Sequence, residues 1–158
     1  GIAGSLVPDP PATRPAPGSA AEALAMTETD LIKEGPDGRK VLVAKIIQHT
    51  IIHLVRTLRA DDDELLYDQV ISQATKDHLL SEGRDPREAI EFFKENRDDI
   101  IAMLSRMSAA ENTPGVIVDQ AGKRNFRLRI TGTAAKGLRF TEYWVTLEKG
   151  NWRVLWVS

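Results

Sequence analysis

The chain of 158 residues is long enough for one domain plus an appendage, and too short for two domains with adequate cores. With 28% charged residues and a net charge of -2 it has no basic footprint, so neither nucleic acid nor an anionic membrane surface is expected as a partner. The lack of cysteine excludes disulfides, thiolate nucleophiles and Cys-based metal centres, and no apolar run approaches the roughly 20 residues of a transmembrane helix.

The first stretch, to about Ala25, interleaves Pro8, Pro10, Pro11, Pro15 and Pro17 with Ala, Gly and Ser. Such a segment buries too little apolar surface to offset its ordering entropy, so 1–38 is expected to be a disordered Pro/Ala-rich arm ending in a turn. Extended arms of this composition separate folded domains from membrane anchors or removed signals. An exported protein held in the periplasm or cell envelope is therefore the expectation, with a cytoplasmic location as the alternative.

Gly35-Pro36-Asp37-Gly38 is a turn signal, and 39–158 is expected to form the folded domain. From Arg39 to Leu58, the residues Val43, Ile47, Ile51, Leu54 and Leu58 recur at helical spacing and predict a long amphipathic helix. The acidic run Asp61 to Glu64 predicts the start of a second helix, with Leu65, Leu66, Val70 and Ile71 on its buried side. Asp85-Pro86-Arg87-Glu88 then opens a third, running to about Met107 with Asn96 inside its apolar stripe.

Beyond Pro114 the text turns to short β-forming runs: Val116 to Asp119, Arg124 to Thr131, Leu138 to Leu147 and Trp152 to Val157. Glycine-marked connections between them predict consecutive antiparallel pairing. The last two runs carry apolar groups on both faces, among them Trp144 and Trp156. A sheet of that kind is expected to be covered on one face by its own helices and on the other by a second copy, or by another protein docked on an aromatic patch. The fold class is thus α+β, with N-terminal helices packed on a curved C-terminal antiparallel sheet.

Helices in this order, followed by a final hairpin from Phe140 to Val157 with Gly150-Asn151-Trp152-Arg153 at its turn, resemble the nuclear-transport-factor-2-like superfamily over about residues 39–158. The resemblance implies a cone-shaped pocket between long helices and a concave sheet, and homodimers formed through the sheet. The isomerase members' catalytic tyrosine and paired aspartates have no convincing counterpart here, so no catalytic residue is carried over.

Candidate site residues are few. His49 and His53 share one side of the first helix, but the glutamate of a His-Glu-x-x-His motif is missing, so no metal site is expected. His49 is expected on the solvated face and His53 at the apolar border. For acid–base chemistry the candidates are His53, Tyr67 and Tyr143, with Asp68 and His78 near Tyr67. Asn96 either caps a neighbouring backbone group or points into a polar cavity. Arg127 and Arg129 share a strand face, with Arg139 and Arg153 on neighbouring strands; lining a concavity they would hold an anionic ligand, and on an open face they would pair with acidic residues. The leading expectation is a non-enzymatic accessory or ligand-binding domain, without cofactor, for a small apolar or anionic ligand. The alternative is a cofactor-free isomerase or dehydratase working in the cone.

Overall fold

The computed structural model describes residues 31–158; most of the expected arm lies outside them. Two short strands, β1 (Ile32–Glu34) and β2 (Lys40–Leu42), form an antiparallel hairpin whose turn is the Gly35-to-Gly38 segment, with Gly38 at φ 78°. The turn forms as expected, but a strand follows it where a helix was expected. Val43 N–H donates to Leu31 O, and Leu31, ahead of the expected boundary, is fully buried. The amide of Gln69 continues the ladder beyond β2, its Oε1 accepting from Leu42 N–H at 2.8 Å and its Nε2 donating to Lys40 O at 2.7 Å. A side chain thereby satisfies backbone groups that an edge strand would leave to water.

Helix α1 spans Ile47–Ala60, and the apolar spacing that announced it holds from Ile47 through Ile51, Leu54 and Leu58, all buried. It ends at Asp61, a non-glycine residue in the left-handed region (φ 51°). Asp62 then caps the short α2 (Asp63–Leu65), its Oδ1 accepting from Leu65 N–H at 3.3 Å. The second helix therefore starts where the acidic run places it, but tightens no further: it widens into a π turn over Leu66–Val70, closed by Ile71 N–H donating to Leu66 O. Ile71 leaves the helix to bridge Val154 in parallel, and α3 (Gln73–Ser81) begins afresh behind Ser72, whose Oγ accepts from Thr75 N–H at 3.1 Å.

The expected third helix is two, α4 (Glu88–Glu95) and α5 (Arg97–Ser105), divided at Asn96 (φ -106°, ψ 16°). Asn96 Nδ2 donates to Phe92 O at 2.9 Å, alongside the residue's own backbone N–H. A short amide side chain competes in this way with the regular ladder, and the helix bends where it does.

The sheet is four-stranded and antiparallel, in chain order: β3 (Val116–Gln120), β4 (Asn125–Ile130), β5 (Glu142–Glu148) and β6 (Asn151–Val157). Lys149 (φ 49°) and Gly150 (φ 80°) form the two-residue turn between β5 and β6, both positive as the right-handed twist of a tight hairpin requires. An irregularity between Trp144 and Val145 interrupts the β5–β6 register and bends the pair. Leu128, Tyr143, Val145 and Val154 face a core shared with Phe93 and Ile100, all fully buried. The free edge of β6 is taken up by Trp152 N–H donating to Ala44 O and Ser72 N–H to Val154 O. β3 is the opposite end strand, with Ile117 and Val118 exposed.

Neither tryptophan expected as an open docking patch is open. Trp156 stacks on Phe92 of α4 at 4.4 Å, and Trp144 lies beneath the Arg127 guanidinium at 5.3 Å. Long aromatic and arginine side chains from within the chain thus cover apolar groups that alternation alone left without a neighbour.

Candidate functional site

Tyr143 and His53 meet around Thr50, in the space between α1 and the sheet. Thr50 Oγ1 donates to Ile47 O at 2.6 Å and lies 2.7 Å from the Tyr143 hydroxyl. Threonine has one hydroxyl proton, and it goes to the carbonyl; Tyr143 is therefore the donor to Thr50. Complete burial pushes the Tyr143 hydroxyl well above the ordinary tyrosine range, so it stays protonated at any physiological pH.

His53 Nε2 lies 2.7 Å from Val43 O, which makes Nε2 the protonated nitrogen and leaves Nδ1 a bare acceptor, buried without a partner. Burial lowers the His53 pKa; the Val43 carbonyl opposes this, and the nearby His49 and Arg56 reinforce it. His49 is not on a solvated face: it is 2% exposed, and its Nδ1 accepts from Lys45 N–H at 3.0 Å, closing the first turn of α1. The void beside His53, lined also by Thr50, Gln69, Asn151 and Arg153, measures about 10 Å³. That is room for roughly one water molecule.

Larger spaces lie elsewhere among the described residues: besides hollows of about 570 and 480 Å³, a cleft of about 740 Å³ opens between α3, the end of the π turn and the turn-proximal parts of β4, β5 and β6. Lys76 of α3 and Arg153 of β6 line it from two sides. Lys76 is 6% exposed, its Nζ 4.5 Å from the centre of the Tyr67 ring. Arg153 Nη1 donates to Asp68 O at 3.1 Å. Neither cation has a carboxylate within ion-pair distance among the described residues. Burial lowers the pKa of both; for Lys76 the Arg153 charge lowers it further, while Asp68 and Glu148 pull it back. Glu148 is itself engaged, its two oxygens accepting from Gln73 N–H at 2.9 Å and Ala74 N–H at 3.0 Å at the start of α3.

Tyr67 stands beside this cleft as a platform, with Lys76 on its ring and Arg87 4.4 Å from the ring centre. Asp68 lines the cleft; His78 instead borders a separate apolar hollow with Leu79, Leu155 and Trp156. Asn96 is used within its own helix. Arg127 Nη2 and Arg129 Nε both donate to Asp119 Oδ2, at 2.9 and 2.8 Å, and Glu142 lies 3.8 Å from Arg127. These hydrogen bonds hold the Asp119 carboxyl below the usual carboxylate range and occupy the two arginines within the sheet. Of the four arginines expected as ligand-binding candidates or their neighbours, Arg127, Arg129, Arg139 and Arg153, only Arg153 lines the large cleft, where Arg124 joins it.

Lys76 is the functional candidate that reading the sequence missed, though a signal was present. Ser72, Thr75, Lys76 and Leu79 recur at i, i+3, i+4 and i+7, so the lysine occupies a buried stripe, and no acid stands three or four residues from it on either side. Among the described residues no group of three His, Asp or Glu side chains could hold a metal ion, and no helix is long and apolar enough to cross a membrane. Comparisons with protein-family models, with curated proteins and with solved structures return no match.

Proposed function

We propose that the chain is a non-enzymatic accessory or ligand-binding domain on a nuclear-transport-factor-2-like cone, which takes an anionic ligand at the cleft of Lys76 and Arg153 rather than inside the cone. The carrying observation is the contrast between the two spaces: about 10 Å³ beside His53 and Thr50, the partner of Tyr143, against about 740 Å³ at the cleft. Acid–base catalysis in the cone would need a substrate within reach of those two groups, a distance of about 3 Å. A partly buried cation with no carboxylate in ion-pair contact has lost hydration without full compensation, and an arriving anion offsets that cost, which makes the cleft a place where binding is favoured.

The test is a thermal-shift screen of anionic and apolar small molecules on the full chain, repeated on Gln73→Trp, which fills the cleft from its exposed rim. Shifts that vanish in the variant support the reading; shifts that persist place binding elsewhere and defeat it. The tethering arm and the envelope location belong to the same proposal, supported by the proline-rich composition before Ala25. Recovery of the full-length protein wholly in the cytosolic fraction would overturn that part. A second copy paired through the sheet is supported by Ile117 and Val118, exposed on the end strand β3. Sedimentation of a monomer at tens of micromolar would remove it.

A further inference from the structure

Resting on the ligand-binding reading above, we propose that the cleft between α3 and the β5–β6 hairpin is a site for a phosphate monoester dianion with a hydrophilic body. The charge count of the lining chooses the ligand's charge. Lys76, Lys123, Arg124, Lys149 and Arg153 face Asp68, Asp77 and Glu148, five cations against three carboxylates, an excess of two that a dianion balances. Two of the three acids are already engaged within the chain, Glu148 on the backbone of α3 and Asp77 on Gln73 Nε2 at 2.9 Å. A phosphate monoester carries a charge of about -1.5 to -2 at neutral pH and offers three strong acceptor oxygens, whereas a carboxylate offers two and one charge.

The donors suit that shape. Lys76 supplies a compact charge whose stem is buried and whose ring contact with Tyr67 limits its freedom, so little order is lost on binding. Arg153, from the opposite wall, supplies a planar fork of which one nitrogen is spent on Asp68 O, leaving further N–H groups for the ligand. Gln73, Asn125 and Thr146 also line the cleft and offer amide and hydroxyl groups. At about 740 Å³ the cleft is much larger than phosphate itself, so the remaining volume fits a hydroxylated body such as a sugar.

Isothermal titration of the full chain at constant ionic strength, with inorganic phosphate, glucose 6-phosphate, glucose and acetate as probes, tests the assignment. Saturable binding of both phosphates is expected, tighter for the sugar phosphate, with none for glucose. Lys76→Met and Arg153→Gln should each weaken binding about 10- to 100-fold, the loss of one charge-assisted contact, while Arg139→Gln, away from the cleft, leaves it unchanged. Lys76→Met removes a buried charge without a counter-ion, so it should melt no lower than the native protein in phosphate-free buffer, which separates lost binding from lost folding. Equal phosphate affinity in native and Lys76→Met protein overturns the proposal. Acetate binding that depends on Lys76, without phosphate binding, overturns the phosphate class and leaves the anionic-ligand reading standing. A native protein that binds no anion, and whose screened ligands are indifferent to Gln73→Trp, sinks both.

Discussion

The pair Thr50 and Tyr143 makes an asymmetric prediction. Thr50 sends its proton to Ile47 O and receives the proton of Tyr143, at 2.6 and 2.7 Å. Removing the phenol oxygen in Tyr143→Phe leaves the threonine proton bonded and leaves only a spare acceptor lone pair, so the cost should be near that of one neutral hydrogen bond, about 1 kcal/mol. Thr50→Val keeps the shape but strands the Tyr143 hydroxyl proton at a site with 0% exposure, and an unsatisfied buried donor costs about 1–3 kcal/mol. The threonine substitution should therefore be the more damaging of the two, although the tyrosine has the larger side chain. In the double variant no donor is stranded, so its destabilisation should fall short of the sum of the singles by about 1 kcal/mol or more. Urea unfolding followed by tryptophan fluorescence measures all four proteins. A Tyr143→Phe cost larger than that of Thr50→Val, or strict additivity, would refute the donor assignment.

Other consequences are simpler to read. The folded-state pKa of His53 lies below the 6.5 of the unfolded chain, so on acidification the unfolded chain takes up the proton first. The His53 contribution should be fully present above pH 6.5 and be lost as pH falls from there to the folded value; a native-minus-His53→Gln stability profile that is flat across that window would contradict it. Phe92→Ala unstacks Trp156 and should cost about 2–4 kcal/mol, less than a fully buried phenylalanine because Phe92 is half-buried. A red shift in tryptophan emission should accompany it, and unchanged emission would show that the stack is not formed in solution. Gly150→Ala meets no neighbouring atom but keeps a φ of 80°, so a loss of about 1 kcal/mol is expected from backbone strain alone. A melting temperature equal to the native one would exclude that turn geometry.

The local text was enough for the antiparallel pairing of the last four strands, the helix start at the acidic run of Asp61 to Glu64 and a tight turn at Gly150, one residue earlier than read, because each depends on neighbours a few residues away. Helix continuity was less legible. The apolar stripe from Ala89 to Met107 runs unbroken through Asn96, and only the second hydrogen bond to Phe92 O reveals that the helix divides there. Residues 40–42 carry helix-compatible spacing yet form a strand, because Ile32–Glu34 and the Gln69 amide offer their backbone partners on both sides. Tertiary context overrides weak local preference in such short segments.

The candidate site divides along the same line. Sequence identified Tyr143 and His53 as chemistry-bearing side chains, but whether they face a cavity depends on how residues far apart in the chain fill the space between α1 and the sheet. Beside His53 the described residues leave only about 10 Å³. Likewise the text showed a lysine in α3 with no acid three or four residues away and an arginine at the start of the last strand. Only the folded chain brings Lys76 and Arg153 to one cleft, because the burial and the counter-ions that decide a charge's behaviour come from segments remote in sequence.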